Sequence, residues 1–258
     1  MLLAQYIGMK TLFYLREYFF PRGCGGCGAA LYKPTDAFYG LCGECRKLLE
    51  SFIALEQRCT ICGKPLISEK ETCLSCRNRE ATDSWVYNEQ ITLMRTLFPY
   101  AGKFKTVLGA YKFWKSLGIA NFLAGCLTQV LDNFGDSGTA IKEAAWVPVP
   151  PRPGKIKNQG WDQIEHLTGL LEKAHKRSGS GIPVCRCLKR LPSRSQKELN
   201  KEERGSNLKG RILCTKQPPK TAILFDDVIT TGATMNACAA ALLEGGAEKV
   251  YGVCLFFD

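Results

Sequence analysis

Eight of the fourteen cysteines fall as four CxxC pairs, Cys24/Cys27, Cys42/Cys45, Cys59/Cys62 and Cys73/Cys76, separated by fourteen, thirteen and ten residues. A CxxC turn can present two sulfurs to one ion, and two such turns complete a tetrahedral four-cysteine zinc site. The apolar residues between 24 and 76 come in short runs such as Leu48, Leu49, Phe52 and Ile53, too few for a self-sufficient core. Metal has to supply what the core lacks, roughly 10 to 16 kcal/mol of apparent binding free energy per structural zinc. Two Zn2+ are therefore expected, both structural. A redox dithiol or an iron–sulfur cluster is the competing use of such cysteines, and the repeated CxxC spacing favours zinc. Sequential pairing (first pair with second, third with fourth) is preferred, although cross-braced pairing satisfies the same chemistry.

Paired CxxC spacing in a chain without a leader points to a reducing, cytoplasmic setting rather than to secreted disulfides. The first twenty residues are apolar, but Lys10, Arg16 and Glu17 interrupt them, so they read neither as a signal peptide nor as a membrane span. Tyr6 to Phe20 is expected to form a helix packed on the body. Hydrophobic residues at 45% and charged residues at 23% exclude disorder and fibrous structure. The 35 Lys and Arg against 24 Asp and Glu leave a formal charge of +11, which suits phosphates or nucleic acid as ligands.

The composition changes near residue 85, which predicts a zinc-bearing module over 1–84 and a second domain over 85–258. In the latter, 144–150 (AAWVPVP), 222–226 (AILFD) and 249–257 (KVYGVCLFF) read as buried parallel strands. Helical spacing over 162–174 and 234–243 separates them. Alternating strands and helices imply a doubly wound, parallel α/β sheet.

One segment carries the sharpest chemistry: AILFDDVITTGATM, residues 222–235. An apolar strand ends in Asp226 and Asp227, and Thr230, Thr231, Gly232, Ala233 and Thr234 then open a helix. Backbone N–H groups and hydroxyls at a helix N-terminus make an anion cradle suited to a monophosphate. The adjacent carboxylates can accept hydrogen bonds from a diol such as the ribose 2′ and 3′ hydroxyls. Such a pair stands where an open α/β sheet binds its ligand.

This segment resembles the fingerprint by which type I phosphoribosyltransferases bind 5-phosphoribosyl 1-diphosphate (PRPP). With VPVPPRPGKIKNQGWDQIEHL (147–167), LKRLPSRSQKELNKEERGSNLKGRI (188–212) and the cysteine module from FFPRGCGGCG (19–28) onward, nearly the whole chain resembles the ComF family of late-competence proteins. That family joins a zinc-finger module to a phosphoribosyltransferase domain. The resemblance implies that Asp226 and Asp227, the catalytic pair, contact the ribose hydroxyls while Thr230 to Thr234 hold the 5′-phosphate. Arg152, Lys155, Lys157 and Gly160 correspond to the pyrophosphate loop, with Mg2+ accompanying PRPP. Residues 185–211 would be a basic lid in which Arg190, Gln196, Arg204 and Asn207 match the family pattern.

The remaining candidates have plainer readings. The segment from Tyr100 to Phe113 reads as a structural helix whose Lys103, Lys105 and Lys112 are surface charge. Cys126, Cys185, Cys187, Cys214, Cys238 and Cys254 repeat no ligand spacing and read as ordinary thiols. His166 and His175 read as surface or half-buried residues. Trp85, Trp114 and Trp146 read as packing residues, with Trp161 placed to stack on a base. Two functions follow from the resemblance. One is Mg2+-dependent transfer of phosphoribosyl from PRPP to a nitrogen acceptor, in competence and DNA uptake. The other is a non-catalytic PRPP or nucleotide sensor whose zinc module binds single-stranded DNA, a competence helicase or another protein.

Overall fold

The computed structural model describes residues 19–55, 57–77, 90–131, 144–178, 182–192 and 210–258. Its centre is a four-stranded sheet of β1 (Leu93–Pro99), β2 (Ala144–Pro148), β5 (Thr221–Ile229) and β6 (Lys249–Phe257). The strands run in the order β1-β6-β5-β2, every neighbouring pair parallel. A short antiparallel ribbon pairs β3 (Leu188–Arg190) with β4 (Ile212–Cys214).

Alternation along the strands divides the apolar side chains between two cores. Ile223 and Phe225 of β5, with Trp146, Val253 and Leu255, face the larger one. That core is filled by helices α4 (Gly102–Lys112), α5 (Gly118–Leu131) and α7 (Gln163–Ser178). Ala222 and Leu224 of β5, with Val147, Val250 and Cys254, face the other core, against α8 (Ala233–Glu244). A sheet covered on both faces needs strands apolar on both sides, which is why β2, β5 and β6 read as continuous apolar runs. The α/β architecture anticipated from those runs is what forms. β1 was not anticipated: Arg95 and Thr96 interrupt its apolar run, and three of its seven residues are only half-buried.

Edge strands are open to pairing with foreign chains unless covered, and both edges of this sheet are covered. On the β2 side, Trp146 N–H donates to Pro183 O and Cys185 N–H to Trp146 O, each at 2.8 Å. On the β1 side lies the second half of the cysteine module, where Thr96 N–H donates to Gly63 O at 3.4 Å and Thr96 Oγ1 to Cys62 O at 3.3 Å. The module's own helices are α1 (Pro34–Tyr39), α2 (Gly43–Ile53) and α3 (Leu74–Arg77). Among the described residues no helix is long and apolar enough to cross a membrane. The anticipated helix up to Phe20 falls almost wholly outside the described residues, as do Trp85 and the lid residues Gln196, Arg204 and Asn207.

Candidate functional site

The eight paired cysteines form two clusters in sequential pairing. Cys24, Cys27, Cys42 and Cys45 are one and Cys59, Cys62, Cys73 and Cys76 the other, with the sulfurs of each set within 4.8 Å of one another. Cys27 and Cys42 Sγ stand 3.7 Å apart, as do Cys62 and Cys73 Sγ. The edge of a tetrahedron with Zn–S bonds of about 2.3 Å is about 3.8 Å, so both donor sets are gathered at close to the spacing zinc requires. Backbone amides prepare one thiolate in each. Cys24 Sγ accepts from Cys42 N at 3.3 Å and Gly26 N at 3.4 Å, and Cys59 Sγ accepts from Cys73 N at 3.4 Å. Burial pushes both thiols up, yet hydrogen bonds, led by the Cys42 amide at Cys24 and the Cys62 amide at Cys59, bring each down to about 7.

A cavity of about 740 Å3 opens at the carboxyl ends of β2 and β5. The turn after β5 supplies one wall. Gly232 takes a φ of +71° at the N-cap of α8, a left-handed conformation that glycine adopts without a Cβ penalty, and this turns the Thr230–Thr234 segment into the cavity. Arg152 and Lys155 from the segment after β2, and Arg190 from β3, also line it. Lys157 and Gly160 do not: both are exposed, on helix α6 (Lys155–Gln159) and at its C-cap.

Arg190 is only 8% exposed, and its Nε finds no hydrogen-bond partner. Burial lowers its pKa, and the charge of Arg152 adds to that. A buried guanidinium with an unpaired N–H costs about 1 to 3 kcal/mol unless something satisfies it. The carboxylates are set apart. Burial and then the charge of Asp227 raise the pKa of Asp226 well above the ordinary range. Burial works the same way on Asp227, but the charge and hydrogen bond of Lys112, with Gln163, bring its pKa below the ordinary value. Lys112 Nζ lies 2.6 Å from Asp227 Oδ2. The arrangement can hold a phosphate at the turn, further anionic charge at Arg152 and Arg190, and hydroxyl donors at the aspartates.

Three residues here were not singled out from the sequence as parts of the site: Lys112, Asp162 and Gln163. Asp162 Oδ1 accepts from Ile164 N at 2.9 Å and Glu165 N at 3.0 Å, capping α7, and its Oδ2 accepts from Lys155 Nζ at 2.5 Å. The Asp162-x-x-Glu165 spacing is a capping signal that marks this corner. Lys112 gives no such signal, because composition does not separate it from Lys103 and Lys105. Trp161 lines the cavity, its ring perpendicular to Tyr111 at 5.3 Å. Tyr111 OH donates to Gln163 O at 2.8 Å and lies 3.0 Å from His166 Nδ1, so His166 is tied to this wall.

Comparison with known proteins bears on both regions. Residues 15–77 match the double zinc ribbon domain. The chain is 29% identical to competence protein ComFC of Streptococcus pneumoniae, over 81% of this chain and 84% of the relative. It is 26% identical to competence protein F of Haemophilus influenzae, over 90% of this chain and 95% of the relative. A shorter stretch of 35 residues is 54% identical to ribose-phosphate pyrophosphokinase of Oceanobacillus iheyensis, covering 14% of this chain and 11% of that enzyme.

Proposed function

We propose that this chain, a homologue of the ComF competence proteins with a double zinc ribbon, binds PRPP with Mg2+ in the cavity and transfers its phosphoribosyl group to a nitrogen acceptor. The observation that carries the reading is a convergence in one cavity. The Asp226–Asp227 pair, the Thr230–Thr234 turn and the cations Arg152 and Arg190 all line it. The local identity to ribose-phosphate pyrophosphokinase, an enzyme named for ribose phosphate and pyrophosphate, supports the same ligand class.

On this reading residues 1–84 are the zinc-bearing part and 85–258 the phosphoribosyl-binding part. Asp226 and Asp227 accept the ribose hydroxyls. The turn's amides and hydroxyls hold the 5′-phosphate. Arg190, Arg152 and Lys155 face the pyrophosphate and stabilise the charge it gains as the C1–O bond breaks and the acceptor's lone pair forms the C1–N bond. Mg2+ bound with PRPP supplies further neutralisation of the pyrophosphate. The process is competence and DNA uptake, with the ribbon and the basic surface available to nucleic acid or a protein partner.

Calorimetric titration of PRPP into the zinc-loaded protein, with and without Mg2+, tests the reading. Mg2+-dependent binding that Asp226→Ala/Asp227→Ala abolishes is expected, and no binding by the unsubstituted protein would sink it. A second reading, binding without turnover, is favoured by the commitment of Asp162 to Lys155 and of Asp227 to Lys112. Of the described cavity carboxylates these pairs leave Asp226, which the reading already assigns to the ribose, as the one outside an ion pair. Pyrophosphate release with a panel of nitrogen acceptors separates the two.

A further inference from the structure

Two donors converge on the same oxygen of Asp227. Lys112 Nζ lies 2.6 Å from Oδ2, and the Gln163 amide donates to that oxygen through Nε2. The other end of the amide, Oε1, accepts from Lys155 Nζ at 2.7 Å, and Lys155 also donates to Asp162 Oδ2 at 2.5 Å. A continuous row, Asp162–Lys155–Gln163–Asp227–Lys112, thus crosses the cavity floor from the segment after β2 to the C-terminal end of α4. Three of its members are shielded: Gln163 is 9% exposed, Asp227 7% and Asp162 5%. The row fixes the Gln163 amide, because the flipped orientation would set its NH2 against the Lys155 ammonium and its oxygen against the Asp227 carboxylate.

We infer that Lys112 and Gln163 are positioning residues for the phosphoribosyl ligand, holding the Asp227 carboxylate in the one orientation in which it meets the ribose hydroxyls. The inference rests on the reading of the cavity as a PRPP site and adds which residues set its ribose end. An ionised carboxylate is acceptor-only, so with Oδ2 occupied by two donors what remains to a ligand is Oδ1, with the Asp226 side chain, which also hydrogen-bonds Asp227, beside it. The Lys112 ammonium already compensates the Asp227 charge, and a second cation at this carboxylate meets like-charge repulsion. A hydroxyl donor does not. Lys155, held by Asp162 and Gln163, ties the pyrophosphate side of the cavity to the same row.

The test is calorimetry on the full, zinc-loaded chain with three probes: PRPP with Mg2+, ribose 5-phosphate, and inorganic pyrophosphate with Mg2+. Lys112→Met is expected to weaken PRPP and ribose 5-phosphate by about tenfold or more, the size of a lost hydrogen bond to a charged group, while pyrophosphate affinity stays unchanged. Lys112→Arg, which keeps charge and donors, is expected to restore most of the loss. In an Asp227→Asn background, Lys112→Met should add nothing, because its effect runs through that carboxylate. Equal weakening of all three probes, an undiminished effect in the Asp227→Asn background, or no effect of Lys112→Met would each overturn the inference. If the unsubstituted protein takes up neither PRPP nor ribose 5-phosphate, the reading of the cavity fails first and this inference falls with it.

Discussion

The two four-cysteine clusters share a ligand set and the CxxC turn but are held to the molecule in opposite ways. The first merges with the main core: Cys24 and Cys45 belong to the same buried cluster as Leu31, Leu49, Val107 and Ile119. Contact there is so close that a Cβ on Gly25 would meet Ile119 Cδ1 at 2.5 Å. Yet Cys27 at its rim is exposed. The second buries all four cysteines in a small apolar cluster of its own with Leu66, and polar contacts fasten it to the β1 edge. A metal knuckle can therefore serve as part of a body's core or as a separable clamp on its sheet. Sequence spacing alone does not tell the two apart.

Zinc removal should expose that difference most strongly, since each site carries about 10 to 16 kcal/mol of apparent binding free energy. Cys24→Ser is expected to cost one zinc and to lower the main thermal transition, because it opens the shared core. Cys73→Ser is expected to cost one zinc and leave that transition nearly in place. Zinc quantitation alongside calorimetric melting checks both, and equal shifts of the main transition would erase the distinction.

Legibility in the sequence follows the same divide between chain neighbours and space neighbours. The ribbon could be read because its ligands come two to a turn. The phosphate turn and the acids could be read because 222–235 is one contiguous segment. Lys112 and Gln163 could not, because only the strand order β1-β6-β5-β2 brings the end of α4 and the start of α7 to the end of β5. The pairing of the cysteines is likewise spatial: CxxC spacing favours the sequential sets that form but admits cross-braced ones as well. β1 stayed hidden because a half-buried edge strand containing Arg95 and Thr96 has too little apolar run to announce itself.

Gly63 is where the second knuckle meets the sheet, and a smaller but sharper effect is expected there. Its φ is +68°, and a Cβ would stand 2.1 Å from Met94 O and 2.6 Å from Arg95 Cα, both backbone atoms that cannot swing aside. Gly63→Ala therefore combines left-handed strain with a forced separation from β1, about 4 kcal/mol or more, among the exceptional costs of single substitutions. Amide hydrogen exchange at Thr96 should accelerate while the zinc content is retained. Protection unchanged from the unsubstituted protein would mean that the knuckle does not depend on this contact.

Arg58 should give the smallest of the three effects and the most local one. Its Nη1 donates to Thr96 O at 2.9 Å and Gly63 O at 3.1 Å, and its Nη2 to Phe52 O and Ile53 O, each at 3.1 Å. One guanidinium thus joins the C-terminal carbonyls of α2, the second knuckle and the edge strand, through backbone oxygens alone. Burial, with the charge of Arg95, lowers its pKa to about 10. The helix end suits a cation, since the α2 carbonyls there carry the negative end of its dipole. Arg58→Met keeps the stem and removes the donors, so about 1.5 to 3 kcal/mol should be lost, the range for hydrogen bonds to a charged group. Arg58→Lys should recover only part, because a single ammonium cannot reproduce a planar fork over four carbonyls. If Arg58 is the staple of a separable clamp, both variants should loosen the second knuckle, seen as faster zinc transfer to a chelator from Cys59, Cys62, Cys73 and Cys76, while the first site keeps its rate. Acceleration at both sites together would show that the two knuckles open as one unit, and the contrast between them would then be one of burial and not of anchorage.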